Sequence, residues 1–525
     1  MIILGIGGLL NDAACAVLKD GQLAAAVEQK KIARRFQPGE LPADAIAACL
    51  RLAGAEAGDV DAVAVVRPFT HGREAPLQLA LREMFPKAEV TLVEHHMAHA
   101  ASAYYVSPFT KATVLTLDRN GDFRCGARWA ASGLTLELDR ELYHPDSLGE
   151  LYGRVTALLG FQPSADEHKV QWLSTYGDDR YRDLFLEIIS PRERGWPRLD
   201  RSFFHGERNS GGGFSAKFYK YLGLGDGEPV PEPMRAHLAA GLQKAIEQVV
   251  TEMAGEGENL CLAGGLAMNV LLVHALEQSG RWTNVFVQPA AGNAGAAIGA
   301  VLQVWHQLFG QAQRVYLEDL FLGPAFSAEQ TKQVLENCKL RFEYLKTSEE
   351  IIDTAVKELE QQKILAWMQG RMEFGPRALG NRSILASPLN RYSTENLNIY
   401  IKHREPFRKF AASVPEEIAG EYFEAAPNAR FLATVGRVRA ERRKIFEAAV
   451  LGEDLVRVHL VRRSENPLFW DLLQAAGRAT GLPVLYNTSF NLFGDPLVCT
   501  PRDAVRSFYS SGIDSMVVGN FFLTK

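Results

Sequence analysis

The amino-acid sequence predicts an α/β protein with a buried sheet and more than one domain. The chain has 525 residues, which is enough for roughly two to four domains. In its first third, short and nearly continuous apolar runs alternate with helical patterns, as in sheets that are covered on both faces. Hydrophobic residues make up 47% of the chain and charged residues 23%, as in ordinary globular proteins.

The predicted elements begin with strands and then alternate with helices. Strands are predicted at residues 2–7, 13–18 and 23–27, with a hairpin turn at 19–22. They are followed by a helix at 42–52, strands at 60–66 and 90–93, a helix from His95 and a strand at 112–117. The later elements are a loop at 200–231, a helix at 235–253, strands at 260–263 and 285–288, a helix at 328–338 and a strand at 341–345. Because the pattern restarts at this point, we place a domain boundary near residue 340; no internal repeat is visible in the sequence.

Charge and cysteine usage narrow the class of protein. The chain has 57 basic and 62 acidic residues, and this balance disfavours a nucleic-acid partner, which usually needs a basic face. The six cysteines are scattered and form no CxxC pair, as expected for reduced thiols in a cytoplasmic protein. The apolar segment at residues 1–7 is interpreted as a buried strand, and no apolar run approaches the ~20 residues that span a bilayer. We therefore expect a cytoplasmic protein without a membrane partner, and the oligomeric state stays open, a homodimer included.

A histidine pair in the first half of the chain is a candidate metal site. His95 and His99 are four residues apart, so on a helix they lie on one face and can share an ion. Asp118, at the end of a predicted strand, is a candidate third ligand, since carboxylates at strand ends point into clefts of α/β folds. The alternative is a pair of ordinary core or surface histidines.

Glycines at strand-to-helix junctions are candidates for phosphate contact. Gly264 and Gly265 follow one predicted strand, and Gly292 follows another. Backbone amides at the start of a helix favour phosphate. The alternative is that these glycines end the strands for steric reasons alone.

The densest set of cationic and polar residues lies in the last third of the chain. It comprises Arg377 and Arg382 in a Gly- and Pro-containing run, Lys402, Arg404 and Arg408 soon after, and Asn487, Ser489 and Asn491 at the end of an apolar strand. Arginine and lysine beside Ser and Asn at a strand end suit the recognition of phosphoryl groups. The alternative is a solvated set of basic loops.

Taken together, these segments resemble the NodU/CmcH family of O-carbamoyltransferases over essentially the whole chain. The likeness is most specific at residues 370–388, 402–414 and 487–501. Before the boundary near residue 340 it rests on residues 95–102, 149–161, 263–270 and 288–299. The resemblance implies an actin-like ATPase (TsaD-like) N-terminal domain at residues 1–340, followed by a YrdC-like α/β domain at 341–525. It further implies an enzyme that uses ATP and carbamoyl phosphate to form carbamoyl-adenylate, and then transfers the carbamoyl group to a small-molecule acceptor.

The resemblance also implies roles for individual residues. Lys402 and Arg404 look like the KxR element, and Ser489 and Asn491 like the SxN element, that hold phosphate and the carbamoyl group. Arg377, Arg382 and Arg408 would add charge to the same pocket, and Asp12 is a candidate catalytic group. The remaining nucleotide contacts would be Gly264, Gly265, Asn269, Gly292, Asn293 and Asn487. His95, His99 and Asp118 resemble the family's ligands for a divalent metal, usually iron.

This sequence departs from the family pattern mainly in the expected first domain, residues 1–340. Asn11 stands where the family has His, Phe36 where it has Lys, and Asn293 where it has a metal-binding Asp; residues 171–177 also differ. An amide offers an oxygen without a negative charge, so metal affinity should fall. We expect adenylate formation to be retained and the transfer site to be altered, with an oxygen or a nitrogen as the acceptor atom. The alternatives are an inactive homologue that serves as a partner or scaffold subunit, and a threonylcarbamoyl transferase acting on tRNA.

Overall fold

The computed structural model describes residues 1–35, 37–67, 74–189, 196–205, 212–390, 392–492 and 494–525. Their contacts group them into two compact units. The first unit holds residues 1–66, 74–93 and 293–525, and the second holds residue 67 and residues 94–292, within the described ranges. The domain boundary expected near residue 340 is a division along the chain, and these contact-based units do not test it. It stays a prediction.

The first unit begins with a five-stranded sheet. Its strands are β1 (Ile2–Gly7), β2 (Ala14–Lys19), β3 (Gln22–Glu28), β4 (Ala62–Val66) and β5 (Glu89–Val93), in the order β3-β2-β1-β4-β5. Strands β1 to β3 form an antiparallel meander, whereas β4 and β5 run parallel to β1. The predicted strands of this region are confirmed to within two residues at their ends.

The second unit contains a sheet of the same design. Its strands are β6 (Lys111–Gly121), β7 (Arg124–Ser132), β8 (Thr135–Tyr143), β9 (Gly257–Ala263) and β10 (Trp282–Val287), in the order β10-β9-β6-β7-β8. Strands β6 to β8 again form an antiparallel meander, and β9 and β10 again run parallel to the first strand. This duplicated arrangement is that of the actin-like ATPase fold, which confirms the predicted fold class although the sequence shows no repeat.

Helices connect these strands. They are α1 (Gln29–Ala33), α2 (Ala43–Leu52), α3 (Glu74–Met84), α4 (His95–Tyr104), α5 (Leu148–Leu158), α6 (Glu167–Leu173), α7 (Arg182–Ile188), α8 (Ala216–Leu222), α9 (Glu232–Ala254), α10 (Val270–Gln278) and α11 (Ala296–Gln303). The loop predicted at 200–231 is partly helical because α8 lies within it, and its residues 206–211 are outside the described ranges. Among the described helices, none is both long and apolar enough to cross a membrane.

The last part of the first unit is built on a mixed ten-stranded sheet. Its strands are β11 (Glu343–Tyr344), β12 (Leu365–Met368), β13 (Arg382–Ala386), β14 (Ala411–Pro415), β15 (Phe423–Glu424), β16 (Gly436–Val438), β17 (Leu455–Val461), β18 (Leu485–Ser489), β19 (Ser515–Val518) and β20 (Phe521–Thr524). Their order is β11-β20-β19-β12-β13-β18-β14-β17-β16-β15. The helices of this part are α12 (Ala328–Asn337), α13 (Ser348–Glu360), α14 (Ser393–Asn396), α15 (Pro467–Thr480) and α16 (Pro501–Tyr509).

This sheet is buried on both faces at its centre. In β12, Ala366 and Met368 belong to one apolar core, and Leu365 and Trp367 belong to another. Successive side chains of a strand point to opposite faces, so each face packs against its own apolar layer. Polar side chains on such strands are enclosed by protein and are therefore expected to have hydrogen-bond partners.

Candidate functional site

Five cationic side chains of the first unit form a cluster at the middle of the ten-stranded sheet. We call it the cation cluster; its members are Arg377, Lys402, Arg404, Arg408 and Arg457. Lys402 is buried and the four arginines are half-buried. Burial, together with Arg377, Arg404 and Arg408, holds the pKa of the Arg457 guanidinium well below its usual range. Like charges that perturb one another in this way must lie close together.

The other members show the same mutual repulsion. Burial, followed by the charge of Arg408, lowers the pKa of Arg377 to about 10 and that of Arg404 to about 9. Burial and the charges of Arg404 and Arg408 hold the pKa of the Lys402 amine well below its usual range. Glu405 lies 3.8 Å from Arg408 and offsets part of the charge. A site whose cations repel one another is one that favours an anionic ligand.

Lys402 joins the KxR and SxN segments directly. It ends a π-helical turn, Leu397–Lys402, a rare form that is frequent at functional sites. Its Nζ donates to the carbonyl oxygens of Ser489 at 2.5 Å and Asn491 at 2.8 Å, and to Asn491 Oδ1 at 2.7 Å. Ser489 Oγ donates to the same Oδ1 at 2.7 Å. The two segments are therefore brought together although they are nearly ninety residues apart.

Arg404 presents a donor that the protein does not use. Its Nε donates to Asn398 Oδ1 at 2.7 Å, and its guanidinium lies 4.5 Å from the centre of the Phe410 ring. Its Nη2 is buried and has no hydrogen-bond partner among the described residues. A buried and unsatisfied N–H costs about 1–3 kcal/mol, which a bound phosphoryl oxygen would recover.

A second cluster, in the second unit, consists of His95, His99 and Asp118. His95 and His99 lie on one face of α4, and Asp118 lies near the end of β6, as predicted. Asp118 Oδ2 is 2.8 Å from His95 Nε2 and 3.2 Å from His99 Nε2, and the two Nε2 atoms are 3.1 Å apart. A Cβ on Gly121 would lie 2.1 Å from His95 Cδ2, so the close approach of β6 requires glycine at that position.

This donor set fits a divalent metal ion. Neighbouring ligands of an ion are about 3 Å apart when each is about 2.1 Å from it, which matches the three separations. Burial lowers the pKa of His99 and so favours the neutral form that binds metal. Burial opposes ionisation of Asp118, but hydrogen bonds from His95 and His99 outweigh it and hold the Asp118 pKa well below its usual range. The carboxylate is therefore charged near neutral pH.

Comparison with known proteins identifies the family to which the chain belongs. A model of the carbamoyltransferase N-terminus matches residues 67–302, and one of the carbamoyltransferase C-terminus matches residues 356–525. The chain belongs to the carbamoyltransferase family. It is 33% identical to nodulation protein NolNO of Sinorhizobium fredii, over 98% of this chain and 79% of that protein. It is 35% identical to nodulation protein NolO of Bradyrhizobium diazoefficiens, over 82% of this chain and 79% of that protein.

The chain is also similar to carbamoyltransferases that are named for their activity. The 3'-hydroxymethylcephem-O-carbamoyltransferase of Amycolatopsis lactamdurans is 31% identical over 54% of this chain and 52% of its own length. Among solved structures, the match to HypF of T. kodakarensis covers 59% of this chain and 48% of the HypF chain, with 16% sequence identity. The TM-score of this match is 0.35, which indicates only weak structural similarity. The family match confirms the resemblance drawn from the sequence and makes this protein a transferase.

Some residues expected at the nucleotide site of this carbamoyltransferase are already engaged in the fold. Arg382 is fully buried, and its Nη atoms donate to the carbonyl oxygens of Gln369, Gly370, Asn381 and Pro324. Asn269 is the N-cap of α10 and also exchanges hydrogen bonds with Gln243. Arg382 Nε is buried and has no partner among the described residues, whereas the amide of Asn269 is fully engaged. Both residues support the fold, and their contact with the nucleotide stays a prediction.

The glycines expected at the nucleotide site have distinct surroundings in the second unit. Gly264 has a φ of +93°, and a Cβ there would lie 2.2 Å from the Leu117 carbonyl oxygen. A Cβ on Gly265 would lie 3.0 Å from Asp118 Oδ1, so this glycine lies next to the cluster of His95, His99 and Asp118. A Cβ on Gly292 would meet Met268 Sδ at 2.9 Å. Close backbone approach is the property that phosphate-binding glycines need.

The departures from the family pattern fall mainly in the first unit. Asp12 is exposed in the turn between β1 and β2. Asn293 Oδ1 is buried and has no hydrogen-bond partner among the described residues. Phe36 lies outside the described residues. In the second unit, Gln171 Oε1 accepts from the Val270 N–H at 3.0 Å, which gives this departure a structural role.

Sequence reasoning did not select Arg457, a member of the cation cluster. It lies on β17, whose sequence Leu-Val-Arg-Val-His-Leu-Val alternates as an amphipathic strand does. Alternation favours the interpretation that Arg457 and His459 face solvent. Instead His459 is buried, and burial lowers its pKa to about 3. The signal that could have identified Arg457 is its position within an otherwise apolar strand segment.

Proposed function

We propose that this carbamoyltransferase forms carbamoyl-adenylate from ATP and carbamoyl phosphate at the cation cluster, and transfers the carbamoyl group to a small-molecule acceptor. The observation that carries the proposal is the convergence of Arg377, Lys402, Arg404, Arg408 and Arg457 on one site. Two phosphorylated substrates bring several negative charges together, and a preorganised cationic site offsets their repulsion.

The proposed first half-reaction makes the activated intermediate. Carbamoyl phosphate reacts with water to give carbamate and inorganic phosphate. A carbamate oxygen then attacks the α-phosphorus of ATP, the bond to the bridging oxygen breaks, and pyrophosphate leaves. Lys402 and Arg404 would hold the phosphoryl oxygens, and Arg377, Arg408 and Arg457 would stabilise the charge that develops on the leaving group.

The proposed second half-reaction consumes the adenylate. A hydroxyl oxygen or an amine nitrogen of the acceptor attacks the carbamoyl carbon, AMP leaves, and the acceptor's proton passes to a base, for which Asp12 is our candidate. A divalent metal, held by His95, His99 and Asp118, would bind and neutralise nucleotide phosphate when present. Carbamoyl-adenylate is a mixed anhydride that water destroys, so we expect the intermediate to be shielded during transfer.

A small-molecule acceptor is the choice that the relatives support. The Amycolatopsis relative is named for a cephem hydroxymethyl group, which is a small-molecule alcohol. The net charge of -5 disfavours the alternative of a tRNA acceptor, since binding to nucleic acid relies on basic residues.

Pyrophosphate release tests the first half-reaction. The purified full-length protein is incubated with ATP, carbamoyl phosphate and Mg²⁺, and pyrophosphate and AMP are measured over time. We expect release that requires both substrates, with no release from ATP alone. A protein that binds ATP but releases no pyrophosphate under these conditions contradicts the proposal and favours the inactive-homologue alternative.

A further inference from the structure

Asn487, on β18, carries a buried oxygen that the protein leaves without a hydrogen bond. The residue is 2% exposed, and its Oδ1 has no partner among the described residues. Its Nδ2 donates to the Ala378 carbonyl oxygen at 3.2 Å and to Ser413 Oγ at 3.1 Å. Unsatisfied acceptors in a buried site are rare and call for an explanation.

The orientation of this amide is fixed by its neighbours. The Ala378 carbonyl can only accept, so the nitrogen, not the oxygen, of Asn487 must face it. Ser413 Oγ is 2.9 Å from His459 Nδ1, and burial keeps that imidazole neutral by lowering its pKa to about 3. Ser413 can therefore accept from Asn487 and donate to His459. A rotated amide would place its oxygen against the Ala378 oxygen, so the unsatisfied group is held in place.

The strand register puts this oxygen beside the cation cluster. Ala411 on β14 is paired with Arg457 on one side and with Asn487 on the other. Side chains that are directly opposite in a sheet project to the same face, so Arg457 and Asn487 flank the small side chain of Ala411. Ala378 directly follows Arg377 in the chain, and Ser489, two residues beyond Asn487, accepts from Lys402. Asn487 thus belongs to the same site as the cation cluster.

We infer that Asn487 is a specificity-determining residue that accepts a hydrogen bond from the amide N–H of the carbamoyl group. The inference rests on the proposed function and names which part of the substrate the site recognises. A carbamoyl group differs from an acetyl group by an NH2 in place of a CH3, and cationic side chains do not distinguish the two. A buried acceptor distinguishes them, because a methyl group would leave it unpaired. Oδ1 is shielded from solvent, so we expect side chains that line the site to move when the ligand amide binds.

The test compares carbamoyl phosphate with acetyl phosphate in the pyrophosphate-release reaction with ATP. For the unaltered enzyme we expect kcat/KM to favour carbamoyl phosphate at least about 100-fold, as in sites that require a substrate N–H. In Asn487→Leu, which keeps the shape and removes the acceptor, we expect this preference to fall at least about tenfold through loss of activity with carbamoyl phosphate. Ser413→Ala keeps the acceptor and loosens its orientation, so a smaller fall is expected.

A purely structural role predicts a different result. Damage to the fold would lower the rates with both acyl phosphates equally and leave their ratio unchanged. An unchanged ratio in an active Asn487→Leu enzyme therefore overturns the inference. ATP and purine riboside triphosphate, which lacks the exocyclic amine, form a second pair. If Asn487→Leu removes the preference for ATP over this analogue, Asn487 contacts adenine, and the carbamoyl assignment is overturned. If the unaltered enzyme releases no pyrophosphate, the proposed function fails, and the inference fails with it.

Discussion

The two clusters of this protein differ in how their charges are balanced. In the second unit, one carboxylate, Asp118, accepts from His95 and His99, so the negative charge faces its donors within the cluster. His99 Nδ1 is buried there and has no partner among the described residues. In the first unit, the members of the cation cluster lower one another's pKa values, and Arg404 Nη2 finds no partner in the part of the chain that the structure describes. Opposite charges meet in the first arrangement, whereas like charges repel in the second until an anion binds. Mutual repulsion among buried cations is therefore the stronger indication of a ligand site, and we assign the chemistry to the cation cluster.

The largest effect is expected from Lys402→Met, which removes a cation that links two segments of the site. We expect pyrophosphate release to fall by about 10²–10³-fold, as when one preorganised donor is lost from a charged transition state. Lys346→Met is the matched control, because Lys346 is exposed in the same part of the chain. Steady-state pyrophosphate assays check the prediction, and equal rates for the two variants would show that the cluster is not the site of chemistry.

Elements were easier to predict from the sequence than the contacts between them. Strands such as β1 and β4 carry continuous apolar runs, and this local pattern was sufficient to locate them. The duplicated sheet was not visible, because topology is fixed by pairing between distant strands and two sheets can share it without similar side chains. Helix α8 was missed in a stretch rich in glycine and proline, where turn signals outweighed a short helical pattern.

The candidate sites were predictable as far as their chemistry is local. The spacing of His95 and His99 was enough to predict that they share a face of one helix, and Lys402 was selected from its motif. Arg382 was expected in the pocket, and its Nη donors bond to carbonyl oxygens of loops that no sequence pattern places around it. Arg457 was missed because its neighbours in the cluster come from segments fifty to eighty residues earlier in the chain.

An intermediate effect, confined to the other cluster, is expected from the double substitution His95→Ala and His99→Ala. Removing two of three candidate ligands should lower the affinity for a divalent metal by at least about 100-fold. Metal content after incubation with Fe²⁺, Mn²⁺ or Zn²⁺ checks the prediction. His96→Gln is the control, since both ring nitrogens of His96 already bond to Thr116 and Arg124. We expect pyrophosphate release to be unchanged in the double variant; a large loss there would contradict the assignment of the first half-reaction to the cation cluster alone.

The smallest effect is expected from a residue that supports the cation cluster without joining it. Lys31, on α1, is paired with Glu28 at 2.9 Å and donates to the carbonyl oxygens of Glu373 at 3.1 Å and Gly375 at 2.5 Å. Glu373 Oε1 in turn accepts the backbone N–H groups of Leu379, Asn381 and Arg382. Together these bonds fix both ends of the loop that presents Arg377, so the N-terminal segment positions part of the site.

Lys31→Met should therefore lower pyrophosphate release by about tenfold, through a misplaced loop and not through loss of a ligand contact. Lys30→Met is the matched control, because Lys30 is exposed on the same helix. Loss of Lys31 also leaves the buried carboxylate of Glu28 without its cation, so the melting temperature should fall relative to Lys30→Met. If the melting temperature falls while the rate is unchanged, Lys31 contributes to stability only, and the cluster holds its geometry without help from the N-terminal segment.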